Sequence, residues 1–577
     1  MPVSDNQVTE LVFAAWRAGR LRLLGELIAL PPLRPLIARP PRTGAPQAAY
    51  IPMIGANAKT GAALARGIFT LAGSRRRYDK ALEVWTRAAP SRRFAVLLHE
   101  FGWLHDMLAA GGDAARPLIA DHMDAWQRTY GRWNAFSWEP GITARRCLNW
   151  LRVGQPALDD SMSGKSRRRC LMAQIAWLDT IGALAAQPRA RVQIALALAA
   201  AGLLLPGAGR YAGRGLTLLA TELDEQILPD GGHVSRSPEA AASILCDLVA
   251  LRRLMDASLR AMPPAVERAL RRLAPMVRFL SAADGALGVF NGGGEAKRLV
   301  VKPLLQHLGI PQETFQVAPH SGYQRVQGVH STLIMDTGRA PPLRHSHEAH
   351  AGALAIEIST PSGRLIVNCG WSADQPGHWR QPVRASAAHS TLTVNDASSA
   401  QICAPGLRSA FLGLQLRQGG AATAARCTEN EGEGVRLEAA HGGYLHRYGL
   451  IHHRRILVRD GGSHIEGRDK LYRPLNAPGI PPRTLDCALR FHLHPDVHAA
   501  LARDNSQALL VLPDGTGWQF CCASDAIALE DSVYLAAGAP PVRTLQVVIQ
   551  RQVQPGAGRD STQNLIRWSL KRIEHES

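Results

Sequence analysis

Apolar residues recur at helical spacing through residues 1 to about 315. "FAVLLHEFGWLHDMLAAGG" (94–112) reads as a helix with a glycine stop, and "SRRRCLMAQIAWLDTIGALAAQ", "RVQIALALAAAGLLL", "LTLLATELDEQIL" and "AAASILCDLVALRRLMDA" follow it. Short Gly, Pro and Asp turns separate them, and a long series of helical hairpins tends to close into a ring. From about residue 320 the period becomes two. "STLIMDTG", "GALAIEIS", "RLIVNCG", "STLTVND", "GLIHHRRILVRDG", "ALRFHLHP" and "RTLQVVIQ" alternate like strands between turn residues. Strands without intervening helices imply stacked antiparallel sheets. The expected fold class is multidomain α+β, with an N-terminal (α/α) toroid over 1–315 and a C-terminal antiparallel β-sandwich over 316–577.

A chain of 577 residues exceeds what one hydrophobic core usually serves, in keeping with two domains. No apolar run approaches the roughly 18 residues of a membrane-spanning helix. The longest, Ile194 to Leu205, reads as a buried helix. The formal charge is +19, carried by 59 arginines and only seven lysines. Such an excess focuses anionic ligands into clefts. No zinc-finger spacing, basic heptad helix or RNA-binding strand motif accompanies it, so an acidic polysaccharide fits better than nucleic acid. Nine scattered cysteines without a CxxC pair argue for a reducing compartment. The first thirty residues lack the layout of a secretory signal. They suit a helix packed on the first domain, or a basic amphipathic helix lying on a membrane surface. The expected location is therefore cytoplasmic, free or against the inner membrane, with periplasm or cell envelope as the alternative.

The chemistry-bearing residues fall in a few stretches. "RHSHEAHAGALAIEIS" (344–359) crowds His345, His347, Glu348 and His350 at the mouth of an expected strand. Asn368 ends the next strand and His389 begins the one after, so His350, Asn368 and His389 could converge as metal ligands, with zinc the suited ion. The same residues also suit polar strand ends with satisfied hydrogen bonds. "EQILPDGGHVSRSPEAA" (225–241) places His233 and Arg236 on a tight loop between helices, a suitable place to meet an acidic sugar. "FSWEPGITARRCLNWLRV" (136–153) offers Arg145, Arg146, Asn149 and Trp150: arginines pair with carboxylates and aromatic faces stack on sugar rings, although core packing would use the same types. "RASAAHSTLTVND" (384–396) adds Arg384.

The order of these motifs, with "WLRV" after paired arginines, "QILPDGGHVSRSP", "DGALGVFNG", "AHAGALAIEIS", "IVNCG", "RASAAHSTLTVND", "GYLHRYGLIHHRRILV" and "RFHLHPDV", resembles the heparinase II/III-like family of polysaccharide lyases over most of the chain. The resemblance implies a toroid, a sandwich, and β-elimination at a uronic acid. In that chemistry the sugar carboxylate is neutralised, a base takes the C5 proton, and an acid protonates the leaving oxygen. It also implies a structural zinc on His350, Asn368 and His389, with asparagine standing where the family has aspartate. Two expected proton carriers are replaced: the family's catalytic histidine falls on Glu348, and its tyrosine on or near Ala240. His233 and Arg236 match. His345, His347 and Glu348 are the candidates to replace the base; the expected substrate contacts are Arg145, Arg146, Asn149, Trp150, Arg236 and Arg384. Two functions follow as expectations: a lyase of a uronate-containing polysaccharide, or a non-catalytic acidic-glycan-binding or assembly protein on a degenerate lyase scaffold.

Overall fold

Helices dominate from Asp5–Ala29 to Val301–His307, and strands from Val317–Ala318 to Leu565–Arg572. The computed structural model describes residues 5–30, 40–475, 477 and 484–573, except 47, 156, 186, 313, 405, 407, 408, 410–412, 418–421, 431–433 and 539. No helix among the described residues is long and apolar enough to cross a membrane. The Ala-rich run lies in the helix Pro188–Leu204, packed against Arg210–Gln226. A Cβ on Gly202 would sit 2.2 Å from the Ala212 nitrogen, and one on Gly215 2.4 Å from the Ala199 nitrogen. Small residues let these two backbones touch, which is why the run is buried rather than membrane-spanning.

Two local readings change. The stretch 94–112 is two helices, Arg92–Glu100 and Leu104–Gly111, because Phe101 turns left-handed (φ 60°) and stacks on Trp85 and Trp103 at 5.0 and 5.3 Å. A hairpin, Ile68–Leu71 with Ser74–Arg77, interrupts the helical half. Its "SRRR" strand carries no apolar alternation and could not be recognised from sequence.

Apart from that hairpin and the short pair Gln401–Ile402 with Leu416–Arg417, the described strands form two antiparallel sheets. One runs Ile527–Tyr534, Val542–Val553, Leu485–Leu493, Gly363–Val367, Ile356–Thr360, Thr332–Asp336, Tyr323–Gln327, Val317–Ala318, with Leu392–Val394 also pairing to Leu485–Leu493. The other runs Ala422–Asn430, Gly434–His441, Ile451–Arg459, His464–Tyr472, Leu565–Arg572, Gly517–Cys522, Gln507–Val511, His498–Leu501. Phe491 of the first sheet meets Phe520 and Trp568 of the second at 4.9 and 4.8 Å. In Ile451–Arg459 every second residue is buried, so His452 and Arg454 enter the core with Ile456 and Val458. Arg454 is paired with Asp469 at 2.7 Å and donates to the Leu354 and Ser390 carbonyls across the sandwich. A charge in that core is tolerated only because it is matched this way.

The helical half is fixed to the sandwich by Arg236. Its Nε donates to the Ser321 carbonyl (2.7 Å), Nη1 to Arg339 (3.0 Å), and Nη2 to Gly322 (3.1 Å) and to the Asp336 carboxylate. Asn291 Nδ2 donates to the second Asp336 oxygen at 3.1 Å, and the Tyr323 hydroxyl donates to the Arg236 carbonyl at 2.7 Å. These partners hold Arg236 at φ 64°, a left-handed backbone that a non-glycine residue rarely adopts. Arg236 was expected to bind substrate; instead its guanidinium is consumed as an interdomain clamp. Removing one partner of a buried ion pair leaves the other unpaired, so Arg236→Met should lower unfolding stability by about 3–5 kcal/mol, measured by urea denaturation, and adding Asp336→Asn should recover part of the loss.

Candidate functional site

The loop from His345 to His350 faces the helical half, and its backbone is fixed from behind. Arg384, fully buried, donates from Nε to the Ala349 carbonyl (2.9 Å), from Nη2 to Ser346 (3.1 Å) and from Nη1 to Leu414 (2.7 Å). Arg384 is therefore a brace for the loop and not the expected substrate contact. Gly292, at φ 83°, approaches so closely that a Cβ there would lie 2.3 Å from the Glu348 carbonyl oxygen. The regular strand starts only at Ile356, after Leu354 at φ 58°, so residues 350–354 do not alternate as their pattern suggested.

This backbone projects Glu348 toward the helical half, where Arg189 Nη1 lies 3.5 Å from its carboxylate. Arg189 is the second residue of the helix Pro188–Leu204. Desolvation in the cleft would raise the Glu348 carboxyl, but Arg189, Arg380, Arg93 and Arg145 together hold it below the usual range. Arg145 contacts the Glu100 carboxylate at 3.5 Å and donates from Nε to Gln193 at 3.0 Å. Arg380 stands 5.3 Å over the Trp371 ring. Glu239, beside Ala240, accepts from the Gly294 N–H at 3.0 Å; burial raises its carboxyl, opposed by Arg189 and by that N–H. The structure thus brings Arg145 and Glu348 together and adds Arg93, Arg189, Arg380 and Glu239. The stretches that carry the added arginines, "SRRFAVLL", "QPRARVQ" and "GHWRQPVR", are not distinctive among 59 arginines.

The expected proton carriers fare unequally. His233 is buried, with Nδ1 on the Ser235 hydroxyl (2.7 Å) and Nε2 on Gln226 Oε1 (3.2 Å). Burial, then Arg189 and His345, pull its pKa down to about 3, so it is a neutral ring with both nitrogens engaged. Ala240 is buried and offers no hydroxyl. His345 Nε2 and His347 Nδ1 are buried without a hydrogen-bond partner. Burial and then Arg344 lower His345 to about 4; burial also lowers His347. Three residues expected on the helical side turn out to be structural. Arg146 is fully buried, donates to Gln174, the His99 carbonyl and Thr143, and lies 4.1 Å over the Trp126 ring. Trp150 is fully buried in the helical core, and Asn149 bonds the Glu100 carbonyl and Arg152, both at 2.7 Å. Arg145 and Asn149 lie one turn apart on the helix Pro140–Val153, yet their side chains take different partners.

The expected metal ligands converge only in part. His350 Nδ1 and His389 Nε2 are 3.1 Å apart, and His389 Nδ1 donates to the Ala385 carbonyl at 2.8 Å. Arg380 Nη1 lies 3.4 Å from His350 Nε2, which makes that nitrogen the acceptor and His350 Nδ1 the donor to His389. All four ring nitrogens are thus partnered, with a guanidinium beside the pair. Asn368 turns away: its Oδ1 accepts from Ser390 N (3.0 Å) and its Nδ2 donates to the Val289 carbonyl (3.1 Å). No group of three His, Cys, Asp or Glu among the described residues could hold an ion. Two imidazoles with the third side chain turned away are a poor donor set for zinc, and hydrogen bonds already engage the same atoms. Protein purified without chelators should carry well under one zinc per chain, and EDTA should leave its Tm unchanged; stoichiometric zinc by elemental analysis would contradict this.

Comparison with known proteins agrees with the fold. A family model described as "Heparinase II/III-like, C-terminal" matches residues 310–569. The crystal structure of heparinase III superposes with a TM-score of 0.65 at 14% identity, covering 85% of this chain and 79% of that one. Heparan sulfate lyase HepC from Pedobacter heparinus gives 0.55 at 13% identity, covering 99% and 89%. FtsZ-localized protein C of Caulobacter vibrioides (strain NA1000 / CB15N) is 35% identical over 526 residues, 88% of this chain and 87% of the relative. By sequence and by fold, the chain belongs to the heparinase II/III-like family.

Proposed function

We propose that the chain is a non-catalytic acidic-glycan-binding protein built on the lyase scaffold and that it works in association with FtsZ. The observation that carries the binding reading is Arg189 at 3.5 Å from the Glu348 carboxylate, with Arg93, Arg145 and Arg380 near enough for their charges to act on it. Guanidinium groups pair bidentately with carboxylates and remain charged at any working pH. Against catalysis stand His233, neutral with both nitrogens occupied, and Ala240 in place of the phenol. The association with FtsZ is taken from the name of the 35% identical relative. A second reading, β-elimination, is favoured by the unpartnered nitrogens of His345 and His347 on either side of Ser346, next to Glu348.

The first helix supplies a further contact in this reading. Val12, Phe13, Trp16 and Leu23 are about half exposed or more, while Arg17 lies 4.7 Å over Phe13 and Arg20 5.3 Å over Trp16. Aromatic and arginine side chains on one helix suit an anionic lipid surface. These side chains support, in this reading, a place for the protein on the cytoplasmic face of the membrane.

Polygalacturonate should bind saturably, more weakly as salt rises, and release no ultraviolet-absorbing unsaturated uronate. Arg189→Gln, which removes one charge-assisted contact, should weaken binding roughly tenfold. Appearance of the unsaturated product would replace the binding reading with the lyase. A fluorescent fusion should track FtsZ in dividing cells, and a diffuse signal would remove that association. Trp16→Glu should abolish sedimentation with vesicles containing anionic lipid while leaving polygalacturonate binding intact.

A further inference from the structure

Glu348 is the residue least expected in a cleft for acidic glycans, because a fixed negative charge there repels the ligand. Its backbone is immobile: Arg384 holds the carbonyls of Ser346 and Ala349, the Ala349 N–H donates to Ser346 at 3.1 Å, and Gly292 closes on the Glu348 carbonyl. Its side chain is not. It is 53% exposed, and its ion pair with Arg189 spans 3.5 Å, against about 2.7–2.9 Å for a tight charge-assisted hydrogen bond. Around it the arginines are incompletely satisfied. Arg93 Nε and Arg380 Nη2 are buried atoms with no hydrogen-bond partner, and such donors are costly to leave unpaired. Nothing else among the described residues ties the Glu348 carboxylate down.

We propose that the Glu348 side chain is an internal stand-in for a ligand carboxylate: it partly neutralises the arginine cluster in the free protein and swings out when a uronate-type carboxylate takes its place. The proposal rests on the glycan-binding reading and adds a device that sets its threshold. A rigid backbone with a mobile side chain is what such an exchange requires, since only rotation about side-chain bonds separates the two states. The incoming carboxylate gains what Glu348 lacks, a geometry free to reach Arg93 and Arg380 as well as Arg189. A neutral sugar has no group to exchange and gains nothing. Swapping one carboxylate for another also changes the charge of the cluster little, so the native cleft should bind with a shallow dependence on salt.

The test is calorimetric titration of the full chain with oligogalacturonate at two ionic strengths, comparing the native protein, Glu348→Gln and Arg189→Gln. Glu348→Gln removes the competing charge and keeps the shape. It should bind about three- to tenfold tighter, with a steeper salt dependence because the ligand now displaces mobile anions in place of a tethered one. Its Tm should stay close to that of the native protein, since the side chain is exposed. Arg189→Gln should bind more weakly. Binding by Glu348→Gln alone would support the stand-in in its strongest form. Native binding with Glu348→Gln equal or weaker would overturn the stand-in and leave the glycan-binding reading in place. Absence of binding by both proteins would overturn the glycan-binding reading and the stand-in with it.

Discussion

At the joint between the two halves, where Arg325 and Arg364 also cross, the central tie is the buried guanidinium of Arg236. It leaves a loop of the helical half and is matched on the sandwich side by three carbonyls and the Asp336 carboxylate. Asp230 reinforces the joint by accepting from the His320 and Ser321 N–H groups at 2.9 and 2.7 Å. A charge buried between domains is costly unless matched, so the halves have one relative position in which that cost is offset. The cleft inherits its geometry from this position. Arg145 and Arg189 come from helices, Glu348 and Arg380 from sandwich loops, and neither set forms a site alone.

Within the cleft, the histidines of the matched motifs are engaged as positioning groups. The family's loop survives around His233, yet His233 is now a hydrogen-bonded bridge between Ser235 and Gln226. Gln226 in turn donates to the Pro188 carbonyl at 3.0 Å, next to Arg189. A histidine in this setting acts by orienting an arginine-bearing helix. The His350–His389 pair shows the same shift, with both rings held by hydrogen bonds and the third position turned away as Asn368. In both places the scaffold keeps polar contacts that hold neighbouring elements in register.

The two periods of the hydrophobic pattern, 3.6 and then two, determined the helical half, the sandwich half and the approximate place of their junction. They could do so because local periodicity must match the face that each element buries. Motif order carried the family for a similar reason: loops such as 225–241 and 284–295 need particular residues to turn and to approach one another. What sequence could not tell was which polar side chains face the cleft. Arg145 and Arg146 are neighbours in one helix, yet one reaches the ligand space and the other is sealed against Trp126. Arg236 and Arg384 look like ligand contacts in a motif, but their guanidiniums are matched by backbone carbonyls more than 30 residues away. Arg93, Arg189 and Arg380 carry no motif and meet only because the two domains close. Hydrophobic patterning is a one-dimensional signal, since burying one face needs only the right spacing. Whether a charged group is free or satisfied depends on partners from distant segments, and the tertiary structure alone brings those within hydrogen-bond reach.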